Sequence, residues 1–231
     1  MPNFLQNEVV MKVILNHEDQ VPSNYKIAFI ADTHNYYDDL SDAVVAINRN
    51  GPYAFVIVAG DITNEGFREE YLKTEEILGK LKVPHLVLVG NHDLLANGDE
   101  IYSKLYGSKN FSFTFRDLTF VFANNNNWES EGPVPDLNLI GDLFASAAIN
   151  RILVTHVAPN DSDRFKQGEI ERFETFISSQ GISFIFHGHN HNPTVSTFGG
   201  ATMITIGAPT KRIYSELVIS AGGPSHRKVS F

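Results

Sequence analysis

Four short polar strings, in which carboxylate, imidazole and amide side chains follow one another closely, occur along a chain of 231 residues. They are Ala31-Asp32-Thr33-His34, Gly60-Asp61, Gly90-Asn91-His92-Asp93 and Gly188-His189-Asn190-His191, and His156 lies between the last two. Seven of these side chains are candidate metal ligands: Asp32, His34, Asp61, Asn91, His156, His189 and His191. The chain has no cysteine, so the donors are oxygen and nitrogen, which suit divalent ions such as Mn, Fe, Co or Zn. Two ions about 3.5–4 Å apart can hold the attacking and leaving oxygens of a phosphoryl displacement, and the strings predict such a dinuclear site.

The residue types indicate how these ligands divide between two ions. Asp32 and His34 are two residues apart, so both can converge on one ion from an extended loop. Asp61 follows a glycine, which permits close approach of the backbone, and its two carboxylate oxygens can bridge two cations. Asn91 would offer its neutral carbonyl oxygen to the second ion. His156, at the end of an apolar run, is predicted to bind that same ion.

Each string follows a short apolar run that is predicted to form a buried β-strand. These β-branched and aromatic runs are Tyr25–Ala31, Ala54–Ala59, His85–Val89, Arg151–Thr155 and Ser183–His187. Amphipathic patterns between them predict helices over Asp39–Asn50, Gly66–Leu81, Asp99–Tyr106 and Gly168–Gln180, and a weaker one over Leu137–Ile149. Ligands bind beyond the carboxyl ends of strands in open α/β sheets, so we expect the five strand ends to converge on one site.

The remaining extended segments predict that there are two sheets. Asn110–Phe115 and Leu118–Ala123 are expected to form a hairpin about Arg116-Asp117. Thr194–Thr197, Ala201–Ile206 and Lys211–Ile219 are expected to form a late meander, and Val9–Leu15 an added strand. With helices outside the sheets, this count predicts an α/β fold. Residues 1–231 are expected to form a single domain whose motif-bearing core spans residues 25–210.

The composition indicates a globular protein with an acidic surface. The chain is 42% hydrophobic and 19% charged, and its formal net charge is −9. An acidic balance disfavours long nucleic acids and leaves small phosphoesters as expected substrates, since two divalent ions would add about +4 locally. The sequence predicts no membrane span, and the start Met1-Pro2-Asn3-Phe4 does not resemble a signal peptide. A cytoplasmic location is the default expectation, with an exported protein whose signal was removed as the alternative; the oligomeric state is left open.

The ordered set D-x-H, G-D, G-N-H-D, H and G-H-x-H resembles the calcineurin-like metallophosphoesterase superfamily, and its five blocks run from residue 32 to residue 191. The resemblance implies a four-layer α-β-β-α sandwich with two mixed β-sheets and two divalent or transition metal ions, with Mn, Fe or Zn as candidates. It implies that Asp32, His34 and His191 bind the first ion and that His189 binds the second. It also implies that His92 protonates the leaving oxygen or holds the phosphoryl oxygen during in-line attack by a metal-bound hydroxide.

Two branches of this superfamily match poorly. Phosphoprotein phosphatases carry G-D-x-x-D-R-G, whereas this chain has Glu65 in place of the arginine. Purple acid phosphatases need a tyrosine where this chain has Asn64, and they lack the histidine found here as His34. The remaining pattern is similar to the cyclic-nucleotide phosphodiesterase-like bacterial branch, a resemblance that does not specify a substrate. Small phosphodiesters are the predicted substrates, because two divalent ions can neutralise a diester monoanion without the missing arginine and tyrosine. The alternatives are a small-molecule phosphomonoesterase or pyrophosphatase, a nuclease, and a non-catalytic binding module on the same fold.

Several residues near the blocks have alternative interpretations. Asp93 either orients His92 or caps the following helix, and capping is preferred. Trp128, in the loop that begins with the asparagine run 124–127, either lines the rim and stacks a base or packs within a surface loop. Arg164 either binds phosphate or, as the preferred interpretation, is a solvated loop residue. Four further histidines are expected to have structural or ordinary roles: His187, His17, His85 and His226.

Overall fold

The strands and helices of the protein were assigned in a computed structural model that describes residues 6–132, 134–145 and 149–231. The strands are β1 (Tyr25–Ile30), β2 (Val56–Ala59), β3 (His85–Leu88), β4 (Phe111–Phe115), β5 (Leu118–Phe122), β6 (Asn150–Val154), β7 (Ile182–His187), β8 (Thr194–Phe198), β9 (Ala201–Thr205), β10 (Ile213–Ser220) and β11 (Gly223–Ser230). The helices are α1 (Asn7–Asn16), α2 (Tyr37–Asn50), α3 (Arg68–Leu78), α4 (Gly98–Tyr106), α5 (Leu137–Leu143) and α6 (Gln167–Gln180). The start of the chain, Met1 to Phe4, lies outside the described residues.

Two mixed sheets form the centre of the fold. The first sheet has the strand order β11-β10-β1-β2-β3, and the second has the order β4-β5-β6-β7-β9-β8. Within them, β1, β2 and β3 are parallel, as are β5, β6, β7 and β9. Because these neighbouring strands run in the same direction, their carboxyl ends lie at the same edge of each sheet.

The inner faces of the two sheets pack through aromatic side chains. Phe29 of β1 stacks on Phe186 of β7, with ring centroids 3.9 Å apart. Phe55, just before β2, makes edge-on contacts with Phe113 and Phe120 of the second sheet at 5.5 and 5.7 Å. Edge-on arrangements such as those of Phe55 are a favoured geometry for aromatic pairs.

Helices cover the outer faces of both sheets. Leu40 and Ile47 of α2 and Leu78 of α3 are buried in the same core as the strands of the first sheet. A separate core joins α5 and α6 to the outer face of the second sheet, for example Phe173 to the cluster that contains Leu153. The predicted four-layer α-β-β-α sandwich with two mixed sheets is therefore confirmed.

The predicted added strand at Val9–Leu15 is wrong, because these residues lie in helix α1. Val10 and Ile14 are buried and four residues apart, so they share one face of the helix. Glu8 and Lys12 form an ion pair of 3.1 Å on the exposed side. Apolar residues fill six of the seven positions from Val9 to Leu15, with Lys12 as the exception, so the segment resembled a strand although Val9 and Leu15 are 41% and 39% exposed.

The predicted late meander is also wrong, because its strands divide between the two sheets. β8 and β9 form an antiparallel hairpin in the second sheet, whereas β10 crosses to the first sheet and pairs with β1. A 3-10 turn at Pro209–Lys211 precedes the crossing. The sequence did not predict β11, which pairs with β10 at the edge of the first sheet. Most of its residues are polar and none is buried, so the segment lacks the apolar pattern of a strand.

The helices agree more closely with prediction. α2, α4 and α6 lie over their predicted ranges, whereas α5 ends at Leu143, and residues 146–148 of its predicted extension lie outside the described residues. Throughout the described ranges, every helix falls short of the length and apolar character that a bilayer crossing requires.

Candidate metal centre

The loops that follow five strands meet at one end of the two sheets. They follow β1, β2 and β3 in the first sheet and β6 and β7 in the second. The structure brings together all seven side chains predicted as ligands: Asp32, His34, Asp61, Asn91, His156, His189 and His191. Convergence at the carboxyl ends of parallel strands is therefore observed, as the alternation of strands and helices predicts.

One group of ligand atoms, the first cluster, consists of Asp32, His34 and His191. These three side chains each contribute a donor atom within 4.8 Å of the others. The Nε2 atoms of His34 and His191 are 3.4 Å apart, and His191 Nε2 lies 3.7 Å from Asp32 Oδ1. One carboxylate and two imidazoles therefore face a common point, which is a donor set suited to a borderline divalent ion.

A second cluster consists of Asp61, His156 and His189, whose donor atoms also lie within 4.8 Å of one another. His156 Nε2 is 3.1 Å from Asp61 Oδ2. Asn91 joins this cluster, because its Oδ1 lies 3.0 Å from His189 Nδ1. The second cluster thus offers two imidazoles, a carboxylate and an amide oxygen.

Asp61 belongs to the second cluster and also lies next to the first. Its Oδ2 is 3.1 Å from His156 Nε2 in the second cluster and 3.7 Å from His34 Nε2 in the first. Its other oxygen, Oδ1, accepts a hydrogen bond of 2.9 Å from the backbone N–H of His92. A single carboxylate oxygen therefore has one imidazole of each cluster as a neighbour.

A buried donor atom without a hydrogen-bond partner is an atom that a metal ion could satisfy. Three such atoms belong to the clusters: Asp32 Oδ2, His34 Nδ1 and His156 Nε2. His156 Nδ1 donates to the carbonyl oxygen of Ala59 at 2.8 Å, so its Nε2 lone pair is directed away from that bond. Atoms that bind one ion at about 2.1 Å lie roughly 3 Å from each other, close to the observed separation of His156 Nε2 and Asp61 Oδ2. The residues fit the pair of ions that the family resemblance implies.

The electrostatics of the site also favour a bound cation. Burial, reinforced by the charge of Asp61, outweighs the attraction of His156 and raises the pKa of Asp32 to about 7. Burial likewise lowers the pKa of His34 to about 4, although the Asp61 carboxylate acts in the opposite direction. Although burial acts against it, the carboxylates of Asp61 and Asp32 raise the pKa of His156 to about 9, so positive charge is favoured beside these carboxylates, and a divalent ion would supply it.

The backbone is left-handed at five of the seven predicted ligands. The φ angles are 55° at Asp32, 43° at His34, 53° at Asp61, 68° at His189 and 57° at His191. Residues with a Cβ atom seldom adopt this region, although Asp, Asn and His tolerate it best. Each of these loops must turn sharply after its strand, and the turn directs the side chain towards the cluster.

Hydrogen bonds between loops hold these left-handed turns in place. The N–H of His34 donates to the carbonyl oxygen of Asp61 at 2.9 Å, and the N–H of Asp32 donates to that of Gly60 at 3.0 Å. His189 N–H donates to Asp32 Oδ1 at 2.8 Å, which joins the second sheet to the first. Unusual backbone conformations persist when surrounding contacts fix them, and here the ligand loops fix one another.

His92 is anchored beside the first cluster. Its ring lies edge-on to that of His34, with centroids 4.7 Å apart. Nδ1 donates to the carbonyl oxygen of Asn64 at 2.7 Å, which leaves Nε2 free. Asn64 stands where purple acid phosphatases have a tyrosine, but its contact with His92 is made by the main-chain carbonyl oxygen and not by the side chain.

Asp93 does not cap the following helix, so that preferred prediction is wrong; the residue at the N-terminus of α4 is Asn97. The buried carboxylate of Asp93 accepts hydrogen bonds from Thr63 N–H at 2.9 Å, Thr63 Oγ1 at 2.8 Å and Gly90 N–H at 2.8 Å. It therefore joins the loop after β2 to the loop after β3. Sequence spacing alone gave no sign of this contact, because Thr63 and Asp93 are brought together by the pairing of β2 with β3.

The asparagine run 124–127 is part of the site, which the sequence analysis missed. Asn125 bonds to the backbone of His156 and Val157, and Asn126 bonds to the carbonyl oxygen of Val89. Asn124, Asn125 and Asn126 are buried. The available signal was a polar run directly after the fully buried strand β5.

Two predictions about the adjacent loops are corrected. Trp128 is 63% exposed, so it is not packed within its loop, and rim lining remains the open alternative. Arg164 is only 8% exposed and is therefore not a solvated residue. Its Nη1 contacts both carboxylate oxygens of Glu129 at 2.9 and 2.8 Å, and its guanidinium lies 4.3 Å from the centre of the Trp128 ring. Burial, then the charges of His156 and Arg164, lower the pKa of His189 to about 4, so Arg164 lies within electrostatic reach of the site.

The four remaining histidines make local contacts. His187 is buried, and its Nε2 lies 3.2 Å from Thr205 Oγ1. Burial lowers the pKa of His187 to about 4, which keeps this side chain neutral. His17, His85 and His226 contact the Val13 carbonyl, Glu75 and Ser215, respectively, away from the two clusters.

The fold and the clustered histidine and aspartate side chains together indicate a metallophosphoesterase. The chain belongs to the calcineurin-like phosphoesterase family, whose sequence profile matches residues 25–193. The matched range contains all seven predicted ligands and His92. This confirms the family that the five blocks indicate.

Curated relatives carry phosphodiesterase names. The chain is 27% identical over 198 residues to the glycerophosphodiester phosphodiesterase GpdQ of Enterobacter lignolyticus, covering 75% of this chain and 69% of the relative. It is 24% identical over 190 residues to a "Probable cyclic nucleotide phosphodiesterase" of Coxiella burnetii, covering 72% and 76%.

Solved structures with the same fold have diverse descriptions. A dimetal phosphatase of Danio rerio aligns with a TM-score of 0.66 at 15% identity, over 90% of this chain and 99% of that one. GAP50 of Plasmodium, described as an anchor in the inner membrane complex, aligns with a TM-score of 0.67 at 13% identity, over 90% and 84%. At such identities the alignments establish the fold alone.

Proposed function

We propose that this protein hydrolyses small phosphodiesters with the help of two divalent metal ions. The observation that carries the proposal is the position of Asp61, whose Oδ2 has a free imidazole nitrogen of His156 on one side and His34 Nε2 on the other. In a bridged dinuclear centre, one carboxylate is shared between two sets of terminal ligands. The phosphodiesterase names of the curated relatives support the same reaction class.

In this proposal each ion has its own ligands. The first ion would be held by Asp32, His34 and His191, and the second by Asn91, His156 and His189, with Asp61 shared. Mn, Fe and Zn all suit a set of oxygen and nitrogen donors. When bound, the ions neutralise charge on the phosphoryl oxygens and lower the pKa of a bound water towards 7.

His92 is proposed as the general acid. The hydrogen bond from its Nδ1 to Asn64 fixes the ring and leaves Nε2 as the atom that can carry a proton to the leaving oxygen. A second hydrogen bond, from its backbone N–H to Asp61, fixes the position of the residue relative to the bridging carboxylate. The site needs no covalent intermediate, because the attacking oxygen comes from water.

The charged residues around the site favour a diester over a monoester. A monoester dianion gains most from extra cationic side chains, whereas two divalent ions suffice to neutralise a diester monoanion. Glu65 occupies the position of the arginine in the phosphoprotein branch. Arg164, the nearby candidate, is ion-paired through Nη1 with both oxygens of Glu129, which reduces the positive charge it offers to a phosphate.

The proposal is tested with purified protein reconstituted with Mn²⁺. We expect bis(p-nitrophenyl) phosphate to be cleaved with a higher kcat/KM than p-nitrophenyl phosphate. A preference for the monoester of about tenfold or more would indicate a small-molecule phosphomonoesterase. A tenfold ratio of kcat/KM corresponds to a difference of about 1.4 kcal/mol in transition-state stabilisation. Activity on neither ester by protein that holds both ions would instead indicate a binding module.

A further inference from the structure

The loop after β5 inserts two successive side chains between the ends of two strands that belong to different sheets. Asn125 Oδ1 accepts hydrogen bonds from the N–H groups of His156 at 3.2 Å and Val157 at 3.0 Å. Its Nδ2 donates to the carbonyl oxygen of Val157 at 2.7 Å. One buried amide therefore fixes the start of the loop that follows β6 in the second sheet.

Asn126 makes the corresponding contact with the first sheet. Its Nδ2 donates to the carbonyl oxygen of Val89 at 3.2 Å, and Val89 directly precedes Gly90-Asn91 at the end of β3. The same Nδ2 donates to Asn124 Oδ1 at 2.9 Å, which holds the amide in its orientation. The chain turns tightly at Asn126, where Asn127 N–H donates to Asn125 O at 3.0 Å, and the two neighbouring asparagines reach one sheet each.

The two contacts lie next to two residues of the same proposed metal position. His156 and Asn91 are both assigned to the second ion, yet they come from different sheets. The amides of Asn125 and Asn126 are fully buried and tie the backbone at these two positions together. The first cluster is held differently, by bonds among the loops after β1, β2 and β7.

We propose that Asn125 and Asn126 are positioning residues that set the affinity of the protein for the second metal ion and not for the first. This inference rests on the metal centre assigned above. Removing the Asn125 amide leaves the buried N–H groups of His156 and Val157 without their acceptor, so the loop shifts to find new partners. Side chains that orient metal ligands in this way typically change metal affinity about 10–100-fold.

The test measures binding of Co²⁺ alone to metal-free protein by equilibrium dialysis and by the visible absorption of bound Co²⁺. Wild-type protein should bind two ions. At a Co²⁺ concentration just sufficient to saturate the wild type, Asn125→Ala should bind close to one ion, with the second binding step about 10–100-fold weaker. Asn125→Asp keeps acceptors for the two N–H groups, loses the donor to Val157 O and adds a carboxylate, so its second step should weaken less than that of Asn125→Ala.

Asn7 provides a matched control. It is also a buried asparagine that bonds to β3, with Nδ2 donating to Val87 O at 2.8 Å and Oδ1 accepting from Val87 N–H at 2.9 Å. Asn7→Ala should lower thermal stability by an amount similar to Asn125→Ala while binding both ions as the wild type does.

The outcomes separate this inference from the proposed function. Wild-type binding of two ions by Asn125→Ala, or equal weakening of both steps, would overturn the positioning role and leave the dinuclear centre standing. Failure of the wild type itself to bind two ions would overturn both proposals. If Asn125→Ala does not fold, the comparison of Asn125→Asp with Asn7→Ala decides, because unchanged second-step binding in Asn125→Asp would count against the inference.

Discussion

The backbone N–H of His92 donates a hydrogen bond of 2.9 Å to Oδ1 of Asp61. The residue proposed as general acid is thereby fixed to the carboxylate proposed as the bridge. The bond also fixes the rotation of the carboxylate, since Oδ1 is held by His92 and Oδ2 is directed between His34 and His156. Proton donor and metal position are therefore coupled through one side chain.

Asp61→Ala should abolish binding of both ions together, because the variant removes the carboxylate whose Oδ2 lies 3.7 Å from His34 of the first cluster and 3.1 Å from His156 of the second. Elemental analysis of protein prepared without chelator should find close to two ions per chain in the wild type and close to none in the variant. The control is Asp163→Ala, which removes an exposed carboxylate from the loop after β6 and should keep both ions. Full metal content in Asp61→Ala would refute the bridging assignment.

His92→Asn should retain both ions and the fold but lower kcat about 10²–10⁴-fold, the usual contribution of a general acid. His226→Asn, a substitution of a partly buried histidine that contacts Ser215, should leave kcat unchanged. Metal content and melting temperature measured alongside the kinetics distinguish loss of the proton donor from loss of structure. Activity within a few-fold of the wild type would exclude His92 from this role.

Gly90→Ala should disrupt the site by steric overlap. A Cβ atom at Gly90 would lie 2.1 Å from the backbone nitrogen of Asp61 and 2.2 Å from its Oδ1, so the loop after β2 would have to move. We expect a loss of about 1–3 kcal/mol in the free energy of unfolding, together with reduced metal content. Gly168→Ala is the control, because an added Cβ there meets no atom within 4 Å and should be neutral or stabilising. Urea unfolding and elemental analysis of both variants provide the comparison.

Glu75 should make the stability of the protein decrease on acidification. Burial opposes its ionisation, but hydrogen bonds and charge from His85, with a further bond of 2.6 Å from Tyr106 Oη, hold its pKa below the usual 4.5. A carboxyl whose folded-state pKa is depressed contributes stability above its unfolded-state pKa and loses it as pH falls through the folded-state value. The urea midpoint of the wild type should therefore fall more steeply below about pH 4.5 than that of Glu75→Gln. Parallel pH profiles for the two proteins would show that Glu75 makes no such contribution.

The sequence was sufficient to predict that the seven candidate ligands lie together, because each follows a recognisable strand. Asp32, Asp61 and Asn91 stand directly beyond apolar runs, and parallel strands must present those ends at one edge of a sheet. The chemistry of the residue types then limited the ions. Little tertiary information was needed, since the fold repeats the same local arrangement five times.

Contacts between the sheets could not be predicted in this way. Asn125 bonds to His156, 31 residues away, because β5 and β6 are neighbours in the second sheet. Asn126 bonds to Val89 only because the two sheets face each other. The division of β9 and β10 between sheets likewise depends on packing, and neither strand carries a local pattern that records its partner.

The left-handed backbone at Asp32, His34, Asp61, His189 and His191 has a consequence for how the molecule opens. Each such residue stores on the order of 1 kcal/mol of conformational energy, and all five lie at the same end of the sheets. We therefore expect this end of the molecule to unfold locally while the paired strands remain folded. Amide hydrogens of the ligand loops should exchange with solvent faster than those of β1 and β7, and metal ions should slow that exchange by acting as removable cross-links between the two sheets.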